Sequence, residues 1–153
     1  MDLTSVVFFG SNQRGLSMKN LSITAVNAIA IHTWRIFDSL IENVIIENCV
    51  NDRGVIYLNH IDGDVKIKNL IMRNNVTQEG EFGIRSNMRK LEIDGLQILN
   101  SCKLAGVPVG TSVCGALDIA IADTLIMKNC RFVNNRLHNE EGTANFRLSD
   151  LIS

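Results

Sequence analysis

The segment Ile61-Asp62-Gly63-Asp64-Val65-Lys66-Ile67-Lys68 places two carboxylates and two amines at alternate positions. Alternate residues of an extended strand share a face, so this spacing can gather acids and bases on one surface. Paired carboxylates can do general acid–base work or hold calcium, and a nearby cation can hold the acid group of a sugar. Asp62, Asp64, Lys66 and Arg85 are the candidate set for that chemistry, with Arg73, Glu92 and Asp94 as further charged residues nearby. The competing reading makes Asp62-Gly63-Asp64 a turn between strands, which its composition explains. His32, His60 and His138 share no spacing and read as strand-end or loop residues. Trp34 can stack on a sugar ring, but reads first as a packed or capping residue. The four cysteines lack CxxC spacing and a matching histidine pair, so no zinc site, and no other metal or cofactor, is expected.

These residues sit on a repeat. Asn20, Asn43, Asn69, Gly95 and Asn129 anchor units separated by 23, 26, 26 and 34 residues, and Asp150 marks a weaker sixth. Two places before the anchor stand Met18, Ile41, Ile67, Ile93 and Met127. One place after stand Leu21, Val44, Leu70, Leu96 and Cys130; three places after, Ile23, Ile46, Met72, Ile98 and Phe132. Five places after stand Ala25, Asn48, Asn74, Asn100 and Asn134, a second asparagine column. The period of two within each unit predicts strands. Its phase changes at the anchor, so the chain must bend there, and Asn and Gly tolerate the left-handed backbone that such a bend needs. An upstream strand is predicted with Phe9, Leu58 and Ile84 in one column, each 11 residues before its anchor.

Units of this length with about three short strands and no helical pattern predict an all-β fold: a single-stranded parallel β-helix, right-handed, of about five to six coils. Coils stacked about 4.8 Å apart would turn the two asparagine columns into ladders. A leucine-rich repeat fits less well, because it needs Asn three places after the last apolar position and a helical convex side. Just before the anchors come Lys19, Glu42, Lys68, Asp94 and Lys128, so charges alternate in sign along the predicted stack. Such a column fixes register more than it adds stability.

The pattern resembles the right-handed parallel β-helix repeats of the pectin lyase-like superfamily. Cys114-Gly115-Ala116-Leu117 and Phe132-Val133-Asn134-Asn135 resemble the GGA[ILV] and FxxN repeats of chlamydial polymorphic membrane proteins, with Cys114 departing from the first Gly. That likeness implies surface display and adhesion, without catalysis. The Asp-Asp with Gly-His-Gly set of polygalacturonases and the Arg-x-Pro-x-x-Arg of pectate lyases are both missing from the sequence.

The rest of the sequence narrows the classes. A formal net charge of -1 argues against a nucleic-acid partner. No apolar run approaches the roughly 20 residues of a membrane helix, and the first residues make a poor signal peptide. The long interval before Asn129 holds an insertion flanked by Cys102 and Cys114, a possible disulfide that would imply an oxidising compartment. Cys49 and Cys130 read as structural. Of two N-glycosylation sequons, Asn20-Leu21-Ser22 lies at a bend and Asn75-Val76-Thr77 in a predicted loop.

The expectation is one domain, residues 1–153, forming a segment of a longer solenoid or capped by other chains, since bare coil ends expose backbone edges. It is expected to be a non-catalytic structural or interaction module of a surface, adhesive or fibrous assembly, extracellular or at the cell surface. The alternative is a carbohydrate-active lyase or hydrolase.

Overall fold

A computed structural model describes residues 6–51, 54–77, 80–85, 88–103, 117–119, 122–135 and 146–148. In chain order the strands are β1 (Val6–Thr24), β2 (Ile29–Glu47), β3 (Val50–Asn51), β4 (Gly54–Arg73), β5 (Val76–Thr77), β6 (Gly80–Arg85) and β7 (Met88–Asp94). They continue as β8 (Gln97–Leu99), β9 (Cys102–Lys103), β10 (Leu117–Ile119), β11 (Ala122–Lys128), β12 (Arg131–Val133) and β13 (Phe146–Leu148). Among the described residues there is no helix. The Ile- and Val-rich alternation suits a pleated, half-buried surface.

The fold is all-β, and the pairings between these strands are parallel. The main sheet runs β1-β2-β4-β6-β10-β13, with β7 and β8 pairing onto β4, β11 onto β7 and β12 onto β8. A second sheet runs β3-β5-β9. Each repeat therefore pairs with the next one in sequence. Met18, Ile41, Ile67, Ile93 and Met127 lie side by side, and so do Ile23, Ile46, Met72, Ile98 and Phe132. The core is these apolar columns. Ile41, Ile67 and Ile93 are fully buried, as are Val44, Leu70 and Leu96.

The bends lie where the phase change puts them. Asn20, Asn43, Asn69, Gly95 and Asn129 have φ of 54°, 54°, 50°, 80° and 53°. The second column bends too: Ala25, Asn48, Asn74, Asn100 and Asn134 have φ between 54° and 56°. Two further corners carry no asparagine signature across their columns. One holds Asn12 and Arg35; the other holds Gly15, Asp38 and Gly63. Gly63 has φ 98°, and a Cβ there would collide with the Asp38 carboxylate, so glycine is required.

That corner overturns two sequence expectations. Asp62-Gly63-Asp64 does turn the chain, but not between separate strands; it is a bulged corner inside β4. The register of β2 on β4 shifts there from Phe37 beside Asp62 to Ser39 beside Val65. One extra residue in β4 absorbs the shift. Counting back from the anchor across it misplaces the upstream column by one. Phe9 is in register with His32 and Tyr57, while Leu58 and Ile84 pair with each other. Phe9 consequently points outward, 60% exposed, edge-on to His32 at 5.5 Å, and His32 lies 6.2 Å from Tyr57. Trp34, expected to be a packed or capping residue, is exposed and so is not packed in the core.

The charge column is in register throughout: Lys19 beside Glu42, Glu42 beside Lys68, Lys68 beside Asp94 and Asp94 beside Lys128. Lys19 Nζ lies 3.1 Å from Glu42 Oε2. Reversing the central charge sets three like charges in a row. Lys68→Glu is expected to lower stability by about 1 kcal/mol more than Lys68→Ser, read by urea unfolding. Equal losses would mean that the column carries no electrostatic register.

Candidate functional site

The Gly15–Asp38–Gly63 corner opens a groove of about 470 Å³ whose charged lining is Asp38, Asp64, Lys66 and Arg89. Two of the four sequence candidates, Asp64 and Lys66, are in it. Asp38 Oδ1 accepts a hydrogen bond from the Asp64 backbone N–H at 3.0 Å. Asp64 Oδ1 in turn accepts from Arg89 Nε at 2.9 Å. Three successive repeats are thus tied by one polar chain. Asp62 is in register with Phe37, and Arg85 with Asn59, five residues before Asp64 along β4. Their side chains lie outside the described residues. Along the backbone, Lys90 is the residue that lies beside Asp64.

The groove's electrostatics decide what Asp64 can do. The hydrogen bond from Arg89 holds its carboxyl below the ordinary carboxylate range. Desolvation opposes this, and the charges of Arg89, Lys90 and Lys66 reinforce it. An acid catalyst must carry a proton at working pH; Asp64 gives its proton up early and keeps its charge for Arg89. The sign follows for stability. A depressed carboxyl pKa stabilises the fold above the unfolded value of about 3.9, and the gain is lost as pH falls through the folded value. Arg89→Gln is expected to raise the Asp64 titration midpoint towards the ordinary value, read by carbon NMR of the carboxyl. An unmoved midpoint would remove Arg89 as the cause.

The asparagine columns form hydrogen-bonded ladders. Asn43 Nδ2 donates to Asn20 Oδ1 at 3.2 Å, and Asn69 Nδ2 to Asn43 Oδ1 at 3.0 Å. Gly95 has no amide to continue this ladder. The Asp94 carboxylate takes its place and accepts from Asn129 Nδ2 at 2.8 Å. In the second column Asn100 Nδ2 donates to Asn74 Oδ1 at 3.4 Å, and Asn134 Nδ2 to Asn100 Oδ1 at 3.2 Å. Asn48 belongs to the same column, and its backbone N–H donates to the Arg73 carbonyl. Each of these side-chain amides donates towards the preceding repeat. The outward Glu47 carboxylate pairs with Arg73 one repeat on.

Sequence reasoning missed a third set of asparagines, six places after the anchor. Asn75 is fully buried; its Oδ1 accepts from the Cys49 backbone N–H at 2.9 Å, and its Nδ2 donates to the Ile46 carbonyl at 3.3 Å. Asn135 makes the same pair of bonds to Ser101 N–H and the Ile98 carbonyl. The constant offset from Asn69 and Asn129 was the available signal. This geometry corrects the sequon reading: Asn75 lies in the short connection between β4 and β5, but its amide is buried and hydrogen-bonded, out of reach of a glycan.

Cys49 is a buried thiol whose Sγ–H donates to the Glu47 carbonyl at 3.4 Å. Cys130 is a half-buried one whose Sγ–H donates to the Lys128 carbonyl at 3.3 Å, and burial raises its pKa. The side chain of Cys102, all of Cys114, and His138 lie outside the described residues. No group of acids, histidines and cysteines suited to a metal ion occurs among the described residues. No helix among them is long and apolar enough to cross a membrane. Compared with protein-family models, curated proteins and solved structures, the chain matches none.

Proposed function

We propose that the chain is a parallel β-helix, one coil to a repeat, wound right-handed through about five to six coils. We propose further that it acts as a rigid, non-catalytic structural or interaction module of a surface, adhesive or fibrous assembly. The observation that carries this reading is the recurrence of left-handed corners at the same columns of successive parallel repeats in register. Right-handedness follows from the strong preference of parallel crossovers. The groove supports the non-catalytic half. Its best acid is committed to Arg89, and Asp38 is committed to the backbone of the same corner. Placement outside the cell or on its surface rests on the likeness of residues 114–117 and 132–135 to surface-protein repeats.

Incubation with polygalacturonate or alginate tests the reading. The expected result is no new reducing ends and no unsaturated uronate. Cleavage that disappears in Asp64→Asn would overturn the non-catalytic assignment in favour of the carbohydrate-active one.

A further inference from the structure

Among the described residues, β1 is hydrogen-bonded along one edge only, to β2. Its apolar side chains also close the core incompletely. Leu21 is half-buried where Val44, Leu70 and Leu96 in the same column are fully buried, and Leu16 is half-buried where Val65 and Leu91 are fully buried. Two polar groups on this edge have a defined unmet need. Ladder amides donate to the preceding repeat, so the Asn20 Nδ2 points beyond β1 while its Oδ1 is taken by Asn43. Lys19 has Glu42 on one side and the open edge on the other.

We propose that the β1 edge is a docking surface for a parallel strand of the same repeat type. That strand carries an acidic residue opposite Lys19 and, directly after it, an asparagine opposite Asn20. The inference rests on the stacked-repeat reading and names the partner's chemistry. The acid continues the alternating charge column. The asparagine supplies an Oδ1 acceptor and the left-handed corner that lets the partner follow the bend of β1. Parallel backbone pairing along the 19 residues of β1 supplies the bulk of the contact. Among the described residues, a second copy of this chain does not meet the requirement. Head-to-tail stacking through the last described member of the column would set Lys128 beside Lys19. Position 26 is valine, with no amide to reach back as Asn75 does, so the recognition is confined to β1.

The test supplies such a strand to the full chain. A copy of residues 25–47 fused in place of Met1 sets its Glu-Asn pair 23 residues ahead of Lys19 and Asn20, the spacing that separates them from Glu42 and Asn43. The outward amides of β1 are expected to exchange with solvent at least about tenfold more slowly in this fusion than in the unmodified chain. Changing the grafted glutamate to lysine is expected to lower that gain about two- to fivefold, and adding Lys19→Ser, which removes the like charge, to recover part of the loss. Unchanged exchange in β1, or equal protection by the lysine graft, overturns the proposal. Amides of β2 and β4 serve as the control. If they stay slow while β1 does not respond, only this proposal fails; if they also exchange fast, the stacked-repeat reading fails. Light scattering of the unmodified chain completes the test: a concentration-dependent dimer that protects β1 would name a second copy as the occupant and overturn the partner assigned here.

Discussion

Asn75→Leu is expected to destabilise the fold by about 3–5 kcal/mol, whereas Asn74→Gly, one residue earlier, is expected to cost under about 1 kcal/mol. The two asparagines are adjacent, yet they do different jobs. Asn74 is exposed, sits at φ 55°, and contributes one long surface hydrogen bond with Asn100. Glycine adopts that backbone conformation freely, so only the weak ladder contact is lost. Asn75 is fully buried and serves two backbone groups of the preceding repeat, the Cys49 N–H and the Ile46 carbonyl. Leucine fills similar space but leaves both groups buried and unpaired, at about 1–3 kcal/mol each. Paired urea unfolding curves read the difference from the midpoints at constant slope. Equal losses at the two positions would show that the inner asparagine is not holding adjacent repeats together.

The second large effect is expected in the middle of the apolar stack. Ile67 is fully buried between Ile41 and Ile93, so truncation removes contacts on both sides and leaves a cavity within the stack. Ile67→Ala is expected to cost about 3–5 kcal/mol. Met127 is in the same column but only half-buried, with one described neighbour, Ile93. Met127→Ala is expected to cost about 1–2 kcal/mol, part of the removed side chain being wet already. Stability in a stacked array is close to a sum over nearest neighbours, so position in the column should matter as much as residue type. A comparison by thermal and urea unfolding decides it, and equal penalties would speak against a stacked core.

The sequence reveals most about this fold where residue type and backbone need coincide. Asn20, Asn43, Asn69 and Asn129 announce a left-handed bend because few other residues accept one, and Gly95 confirms the column by accepting it for another reason. The charge column was legible because alternating signs only make sense in register. The other corners were not legible: Arg35 and Asp38 take the same backbone conformation without sharing a residue type with their columns. The extra residue at Gly63 then displaced every inference made by counting across it, and Phe9 was placed in the wrong column for that reason. Of the site, Asp64 and Lys66 could be picked out from alternation. Asp38 and Arg89 could not, because neither belongs to the Asp62–Lys68 run, and their meeting with Asp64 depends on how three repeats align.

The inner asparagines carry a consequence for how such a chain changes length over generations. Lys19, Glu42, Lys68, Asp94 and Lys128 alternate in sign. From the second repeat on, the column six places after the anchors, Cys49, Asn75, Ser101 and Asn135, alternates small with amide, Val26 of the first repeat standing outside that order. Each buried amide needs a small neighbour on the preceding repeat, as Asn75 has Cys49 and Asn135 has Ser101. Both alternations have a period of two repeats. The heritable unit is therefore the pair. Unequal recombination that adds or removes one repeat brings amine against amine or acid against acid and breaks the order of buried amides. A change of two within that run keeps unlike charges adjacent and each buried amide behind a small residue. Relatives of different length are expected to differ by an even number of repeats, a parity set jointly by exposed charges and buried amides.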